Sequence, residues 1–177
     1  MLALSGFIII VLLLLPWLNI KAQDEATKEP AGSVIVEAFW PDERDVDVDL
    51  WVKAPSDAAV GYSNMNGYYF NLLRDDRGNL FDRTPINYEI SYTRGIAAGD
   101  YQANIHLYQT DGGPPIEVKI VISVVEPEQR ARTPIIKKDV ILKKFGQEIT
   151  VARWTLASDG KLAPNSVHSL KRSLLRR

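Results

Sequence analysis

Residues 116–124 read IEVKIVISV, and every even-numbered position is Ile or Val. A two-residue period places alternate side chains on opposite faces of a strand, so one face of this segment is predicted to lie in an apolar core. Residues 100–108 alternate in the same way. Between them, residues 111–115 read DGGPP, which supplies glycines for a turn and prolines that interrupt strand pairing. The pattern predicts two strands joined as a hairpin.

Short apolar segments of the same kind recur through the chain beyond residue 32. Turn residues separate them, and no long amphipathic helix interrupts the series. Six further strands are predicted at residues 33–39, 45–53, 68–73, 87–92, 135–142 and 148–156. Many short strands at this spacing are typical of an all-β fold. We therefore predict an antiparallel β-sandwich of the jelly-roll or Greek-key kind.

The composition excludes several classes of function. The 177 residues are 46% hydrophobic, and 21 Lys and Arg against 22 Asp and Glu argue against a strongly basic nucleic-acid-binding protein. With no cysteine and two histidines, the chain has no disulfide framework, thiol nucleophile or Cys/His zinc site. Phosphate-binding loops, nucleophile elbows and zinc-protease motifs are also missing from the sequence. We predict a non-enzymatic protein without a dedicated cofactor.

The N-terminal segment predicts export. Residues 2–20 contain no charged side chain, and at ~1.5 Å per helical residue they nearly cross a hydrocarbon core of ~30 Å. The most apolar part has the length of a signal-peptide core, and Ile20-Lys21-Ala22 resembles a cleavage site. A retained transmembrane anchor helix is the alternative. Residues 1–22 are therefore a predicted signal peptide or anchor, and both readings place the remainder outside the cytoplasm.

The charge is divided along the chain. Residues 23–32 read QDEATKEPAG and are predicted to form a linker before a sandwich domain at residues 33–126. Residues 1–129 hold 9 basic and 19 acidic side chains, whereas residues 130–177 hold 12 basic and 3 acidic ones. This change of sign favours a basic β extension at residues 127–177 over the alternative that residues 135–156 complete the sandwich.

The last fourteen residues have helical spacing. Val167, Leu170 and Leu174 fall on one stripe of a helix, with basic side chains around it. Such a tail is either solvated or docked on an anionic lipid surface or an acidic partner. The predicted partner-binding residues are Lys171, Arg172, Arg176 and Arg177.

Aspartates alternate with apolar residues where the second strand begins. Carboxylates two residues apart on a strand are ~6.5–7 Å apart and repel unless water, a basic side chain or a cation lies among them. A solvated acidic face balanced by Arg44, Lys53 or the basic C-terminal part is one interpretation. Bound Ca²⁺ is the other, because Ca²⁺ prefers oxygen ligands, although the spacing is not that of an EF-hand loop. The candidate ligands are Asp45, Asp47, Asp49, Asp75 and Asp76, with Asp82 nearby.

An ordered set of motifs resembles a known family. The set consists of residues 47–52 (DVDLWV), Ala54-Pro55, Tyr62-Ser63-Asn64, Asp75-Asp76 with Gly78, and Gly99-Asp100-Tyr101 leading into residues 104–108. It resembles the YfaP-like family of exported bacterial β-sandwich domains of unknown function and, more widely, the pre-peptidase C-terminal domains. The resemblance covers roughly residues 33–125 and departs from the family pattern at residues 81–92. It implies an accessory module of the bacterial cell envelope or periplasm without known catalysis.

Other side chains have structural interpretations. His106 shares a strand face with Gln102 and Asn104, so we expect a hydrogen-bonded polar residue rather than a general base. Gly99 permits a tight start to a strand in which Tyr101 buries its ring and bonds a backbone group through its hydroxyl. The aromatic residues Tyr68, Tyr69, Phe70, Trp40 and Trp51 are interpreted as core and strand-edge packing, with a sugar-binding surface as the alternative.

These features predict a non-catalytic binding or scaffolding module of the bacterial envelope, accessory to a membrane-associated assembly. The expected partner is another envelope protein, with membrane contact through residues 2–20 if these are not cleaved and with no nucleic acid. The alternative is a Ca²⁺-dependent or carbohydrate-binding sandwich that uses Asp45, Asp47 and Asp49.

Overall fold

A computed structural model describes residues 32–78, 86–125 and 131–175. The predicted signal or anchor segment, most of the linker, Asp82, Arg176 and Arg177 lie outside these ranges. Within them, no helix has the length and apolar character that a membrane span requires.

The described residues form eight β-strands and no α-helix. The strands are β1 (Val34–Phe39), β2 (Asp47–Lys53), β3 (Phe70–Arg74), β4 (Tyr88–Thr93), β5 (Gly99–Gln109), β6 (Ile116–Val125), β7 (Arg132–Leu142) and β8 (Glu148–Leu156). All eight predicted strands are confirmed. The two-residue apolar period identifies them because it is typical of a strand with one buried face.

The strands form two antiparallel sheets that enclose one core. One sheet has the order β3-β4-β1-β6-β7 and the other has the order β2-β5-β8. The even-numbered Ile and Val residues of β6 are buried, as are Val48, Leu50 and Val52 on β2. These two sets face each other across the core. The predicted all-β, antiparallel fold is therefore confirmed.

The predicted hairpin between β5 and β6 is wrong. β5 pairs with β2 and β8, whereas β6 pairs with β1 and β7, so the DGGPP loop carries the chain from one sheet to the other. Arg44 fixes this crossing, because its guanidinium binds the Asp111 carboxylate at 2.6 Å and the Pro114 carbonyl at 3.0 Å. Turn residues specify a reversal of direction, but they do not specify which strand becomes the neighbour.

The basic C-terminal part belongs to both sheets. β7 pairs with β6 from Ile116↔Leu142 to Val125↔Arg132, and β8 pairs with β5 from Gly99↔Leu156 to His106↔Glu148. The change in charge sign reflects solvent-facing positions such as Lys137, which is exposed. These strands therefore complete the sandwich rather than forming the separate extension that their charge favoured.

The predicted helical tail is also wrong. Residues 166–174, which we call the C-terminal strap, contain no helix and run along β8. The backbones of His168 and Arg153 exchange two hydrogen bonds of 2.8 and 3.0 Å. Farther on, the Arg172 carbonyl accepts hydrogen bonds from Gln102, Asn104 and Thr150. These bonds to the sheet replace the intrahelical bonds that the spacing of Val167, Leu170 and Leu174 predicted.

Tyr101 has the folding role that the sequence predicted. β5 begins at Gly99, whose φ is +128°. Residues that carry a side chain rarely adopt this backbone angle. The buried Tyr101 hydroxyl donates to the Ala97 carbonyl at 2.8 Å and accepts from the Ala97 N–H at 2.9 Å. Its ring stacks on Trp154 at a centroid distance of 5.5 Å. The side chain therefore joins the start of β5 to the core.

Replacing Tyr101 by Phe is expected to lower the free energy of unfolding by about 1–3 kcal/mol, because two backbone groups of Ala97 lose their partner. Urea denaturation measures this difference. Tyr68→Phe is the matched control, since Tyr68 is 79% exposed, and its effect should stay within about 0.5 kcal/mol. Equal stability of Tyr101→Phe and the natural chain would contradict the assigned role.

Candidate metal centre

The acidic residues of β2 are buried. Asp47 and Asp49 alternate with core residues and point away from the core, yet they are only 7% and 2% exposed. Arg44 does not balance them, because it pairs with Asp111. Lys53 lies at the opposite end of β2. The interpretation of these aspartates as a solvated acidic face is therefore wrong.

A third carboxylate joins them from the other sheet. Asp47, Asp49 and Glu89 each offer one oxygen, and these oxygens all lie within 4.8 Å of one another. Glu89 lies on β4 opposite Ala38, a core residue, so its side chain points between the sheets towards β2. Sequence reasoning missed Glu89. No local signal pointed to it, because the alternation in residues 87–92 places Tyr88, Ile90 and Tyr92 on the apolar face and Glu89 on the other.

Glu89 covers the free edge of β2. Its Oε2 accepts a hydrogen bond of 2.6 Å from the Leu50 N–H, and its Oε1 accepts one of 3.2 Å from the Asp76 N–H. Burial raises the pKa of Glu89 well above its ordinary value, and the bond from Leu50 opposes this shift. Glu89 therefore has backbone partners that hold it in place beside the two aspartates.

Asp76 holds the loop that follows β3. Its Oδ1 accepts from the Gly78 N–H at 3.2 Å, and its Oδ2 accepts from the Tyr88 N–H at 3.0 Å and from Arg74 at 3.2 Å. Gly78 has a φ of +69°, so the turn favours glycine. The structure uses Asp76 to fix the loop and does not bring its oxygens into the three-carboxylate cluster.

The other predicted ligands surround the cluster at different distances. Asp75 lines the same cleft as Asp47 and Asp49, and its Oδ2 accepts a hydrogen bond of 2.9 Å from Arg77. Asp45 lies against Gly78, where an added Cβ would be 3.0 Å from its Oδ1. Asp82 lies outside the described residues. Of the predicted set, Asp47 and Asp49 meet in the cluster, and Asp75 faces it.

His106 orients Asp49. Its Nδ1 lies 2.8 Å from Asp49 Oδ2, on the neighbouring strand β5. Burial raises the pKa of Asp49, and the interaction with His106 opposes that shift. The predicted hydrogen-bonding role of His106 is confirmed, although its partner, a buried carboxylate, was not foreseen.

Among the described residues, Asp47 differs from its acidic neighbours in having a buried oxygen without a hydrogen-bond partner. Its Oδ1 is buried and has no hydrogen-bond partner among the described residues. Burial, followed by repulsion from Asp49 and Asp75, raises the pKa of Asp47 to about 7. A buried carboxylate oxygen without a partner is unfavourable unless a proton or a cation neutralises it. A cation bound at this oxygen would therefore form its most favourable interaction in the cluster.

The cluster opens into a cleft of about 280 Å³. Its lining residues are Asp47, Asp49, Asp75, Tyr62, Arg77, Tyr108 and Gln109. Oxygen donors dominate, and Ca²⁺ binds six to eight oxygens at about 2.3–2.6 Å, often including water. The arrangement can therefore hold a hard divalent cation whose remaining ligands would be Asp75 and water molecules in the cleft.

The aromatic residues that the sequence singled out do not line this cleft. Trp40, Trp51 and Phe70 are buried, which confirms their interpretation as packing residues. Tyr68 is exposed and packs edge-on against Tyr69 with ring centroids 4.9 Å apart. The aromatic residues that line the cleft, Tyr62 and Tyr108, were not singled out as ligand-binding residues from the sequence.

The strap presents two of the predicted partner-binding residues. Lys171 and Arg172 are exposed on it, while Arg176 and Arg177 lie outside the described residues. The Arg172 backbone is nonetheless fixed, since its N–H donates to Thr150 Oγ1 at 2.9 Å. Their charges are therefore carried on an anchored segment.

Comparison with protein-family models, curated proteins and solved structures finds no match to this chain. The resemblance to the YfaP-like family therefore stays a prediction, and function is argued from the site itself.

Proposed function

We propose that this chain is a non-catalytic binding module whose β-sandwich holds Ca²⁺ in the acidic cleft. The observation that carries the proposal is the buried Asp47 Oδ1, which has no hydrogen-bond partner in the part of the chain that the structure describes and lies beside the carboxylates of Asp49 and Glu89. A cation there would supply the missing interaction and offset the repulsion among the three groups. An all-oxygen donor set selects a hard cation, and the irregular arrangement of donors suits Ca²⁺ better than Mg²⁺, which demands near-octahedral geometry.

The proposal includes the location of the module. Residues 2–20 would direct export as a cleaved signal or a retained anchor helix, and the sandwich, of the jelly-roll or Greek-key kind, would function in the bacterial envelope. Extracellular Ca²⁺ modules typically have dissociation constants of about 10⁻⁴–10⁻³ M. An affinity in that range would suit a domain outside the cytoplasm.

Thermal unfolding with added Ca²⁺ tests the metal site. A cation that binds only the folded state stabilises it by about 2.7 kcal/mol at 100 times the dissociation constant, so Tm should rise with Ca²⁺ and less with Mg²⁺. Asp49→Asn should remove the rise. Asp139→Asn removes the same charge from an exposed position on β7 and should retain it. An unchanged Tm in the natural chain, or the same rise in Asp49→Asn, would overturn the proposal.

A second contact is proposed at the C-terminal strap. The Arg172 carbonyl is held by hydrogen bonds of 2.6, 2.8 and 3.0 Å, while the side chains of Lys171 and Arg172 are exposed. A fixed backbone that carries exposed basic side chains suits an anionic surface. We propose that it contacts anionic phospholipid headgroups next to the membrane. An acidic envelope protein, the other predicted partner, would be recognised by the same charges.

Replacing Lys171, Arg172, Arg176 and Arg177 together by Gln should weaken binding to vesicles that contain anionic phospholipid by about tenfold and flatten its dependence on salt. Co-sedimentation of residues 23–177 at low and high salt measures both effects. Gln at Lys137, Lys143 and Lys144, three exposed lysines elsewhere, provides the control and should change binding less. Equal capture of the strap variant and the natural sequence would reject this contact.

A further inference from the structure

The acidic cleft has an aromatic wall. The Tyr62 ring packs edge-on against Trp51 and tilted against Tyr108, with ring centroids 5.5 Å apart in both pairs. Trp51 is 3% exposed, whereas Tyr62 and Tyr108 are 41% and 49% exposed. Two tyrosine rings therefore open to solvent beside the carboxylates, and a buried indole supports one of them.

This wall is held by packing and by hydrogen bonds. Gly61 lies so close to Trp51 that an added Cβ would be 2.4 Å from the indole ring. The backbones of Gly61 and Asn64 exchange hydrogen bonds of 3.2 and 3.0 Å, which fixes the turn that carries Tyr62. Tyr108 packs edge-on against His106 at 6.3 Å, and His106 bonds Asp49. The rings and the proposed Ca²⁺ ligands thus form one connected structure.

The charges around the cleft select among ligands. Asp47, Asp49, Glu89 and Asp75 contribute four negative charges when ionised. Ca²⁺ and Arg77 together supply three positive charges, so the loaded site stays slightly negative and repels an anionic ligand such as a phosphate or a uronate. An organic ammonium ion would compete with Ca²⁺ for the same carboxylates. A neutral ligand remains, with hydroxyls for the cation and C–H groups for the rings.

We propose that the Ca²⁺-loaded cleft binds a neutral saccharide. Two adjacent sugar hydroxyls complete the ligand shell of the cation, and the C–H face of the pyranose ring lies on Tyr62 and Tyr108. Arg77 and Gln109, at the cleft, are placed to donate hydrogen bonds to further hydroxyls. This inference rests on the proposed function, because the cation holds the hydroxyls.

Calorimetric titration of the full chain with simple glycosides tests the proposal. The probes are the methyl glycosides of mannose, galactose, glucose and fucose, with methyl glucuronide as the anionic counterpart. At least one neutral glycoside should bind in millimolar Ca²⁺, about tenfold more tightly than in a chelator and more tightly than the glucuronide. If no neutral glycoside binds the Ca²⁺-loaded chain, or if the chelator leaves binding unchanged, the inference is overturned.

Variants of the wall separate the two proposals. Tyr62→Ala and Tyr108→Ala should each weaken glycoside binding about tenfold while the affinity for Ca²⁺ stays within about twofold, which also shows that the variant is folded. Tyr108→Phe keeps the ring and should retain binding. Tyr68→Ala changes an exposed tyrosine that does not line the cleft and should alter neither affinity.

Undiminished glycoside binding by both alanine variants contradicts the role of the wall. Failure to bind Ca²⁺ overturns the proposed function itself, whereas Ca²⁺ binding without glycoside binding overturns only the saccharide.

Discussion

Asp47→Asn is expected to make the metal-free protein more stable at pH 8 by about 2–4 kcal/mol. The natural carboxylate is 7% exposed and has one oxygen without a hydrogen-bond partner among the described residues. Burial and the charges of Asp49 and Asp75 raise its pKa from 3.8 to about 7. Above this value the folded chain must hold a buried charge that Asn does not carry. The increase in the free energy of unfolding therefore measures how much the ionised Asp47 carboxylate destabilises the folded protein.

The same shift predicts how stability depends on pH. Because the pKa of Asp47 is higher in the folded state than its ordinary value of 3.8, the folded protein binds the proton more tightly than the unfolded chain. The resulting stability is fully present below pH 3.8 and is lost as the pH rises towards about 7. Urea unfolding in a chelator across this window should show a decline for the natural chain and a smaller decline for Asp47→Asn.

Calcium should narrow the difference in stability between the two proteins. The natural chain gains stability as Ca²⁺ is added, whereas Asp47→Asn lacks the negative charge that the cation would neutralise and should gain less. Asp139→Asn is the charge-matched control and should follow the natural chain under both conditions. If Asp47→Asn is less stable than the natural chain in chelator at pH 8, the carboxylate is not a destabilising group kept for binding.

The strands were predictable because their signal is local. An Ile or Val at every second position of β6 predicts which face of the strand is buried. Gly99 followed by Tyr101 predicts where β5 begins. Asp47 and Asp49 were found for the same reason, since alternation with Val48 and Leu50 puts them on one side of a strand. Their burial was not predictable, because it depends on residues that other strands and loops bring to that side.

The missed features depend on contacts between distant segments. Glu89 reaches the cluster only because β4 and β2 lie in different sheets whose edges approach each other, and no local pattern encodes that approach. Tyr62 and Tyr108 lie on a turn and on a strand that meet after folding. The same reason applies to the DGGPP loop and to the C-terminal strap. The turn residues of the loop do not determine which strand β6 pairs with, and the strap bonds to the sheet instead of forming the helix that its spacing predicted.

Ending the chain at His168, before most of the C-terminal strap, is expected to lower the free energy of unfolding by about 3–5 kcal/mol. The deletion uncovers the outer face of the β2-β5-β8 sheet and removes the buried Leu174 side chain. It also removes the Arg172 carbonyl, which Gln102, Asn104 and Thr150 share as an acceptor. Lys138 of β7 loses its contact with Ser169, so a link to the other sheet is lost as well.

Glu148 gives this deletion a distinctive dependence on pH. Burial alone would raise the pKa of Glu148, but hydrogen bonds from Ser173, Leu174 and Asn104 together lower it from the ordinary value of 4.5. A lowered pKa stabilises the folded state above pH 4.5, and that contribution is lost as the pH falls through the folded-state value. Most of these donors are on the strap, so the stability difference between full-length and shortened chains should narrow in acid.

A chain ending at Leu175 keeps the strap, and urea denaturation should find it as stable as the full chain. Equal stability of the chain ending at His168 would show that the strap is peripheral to the sandwich.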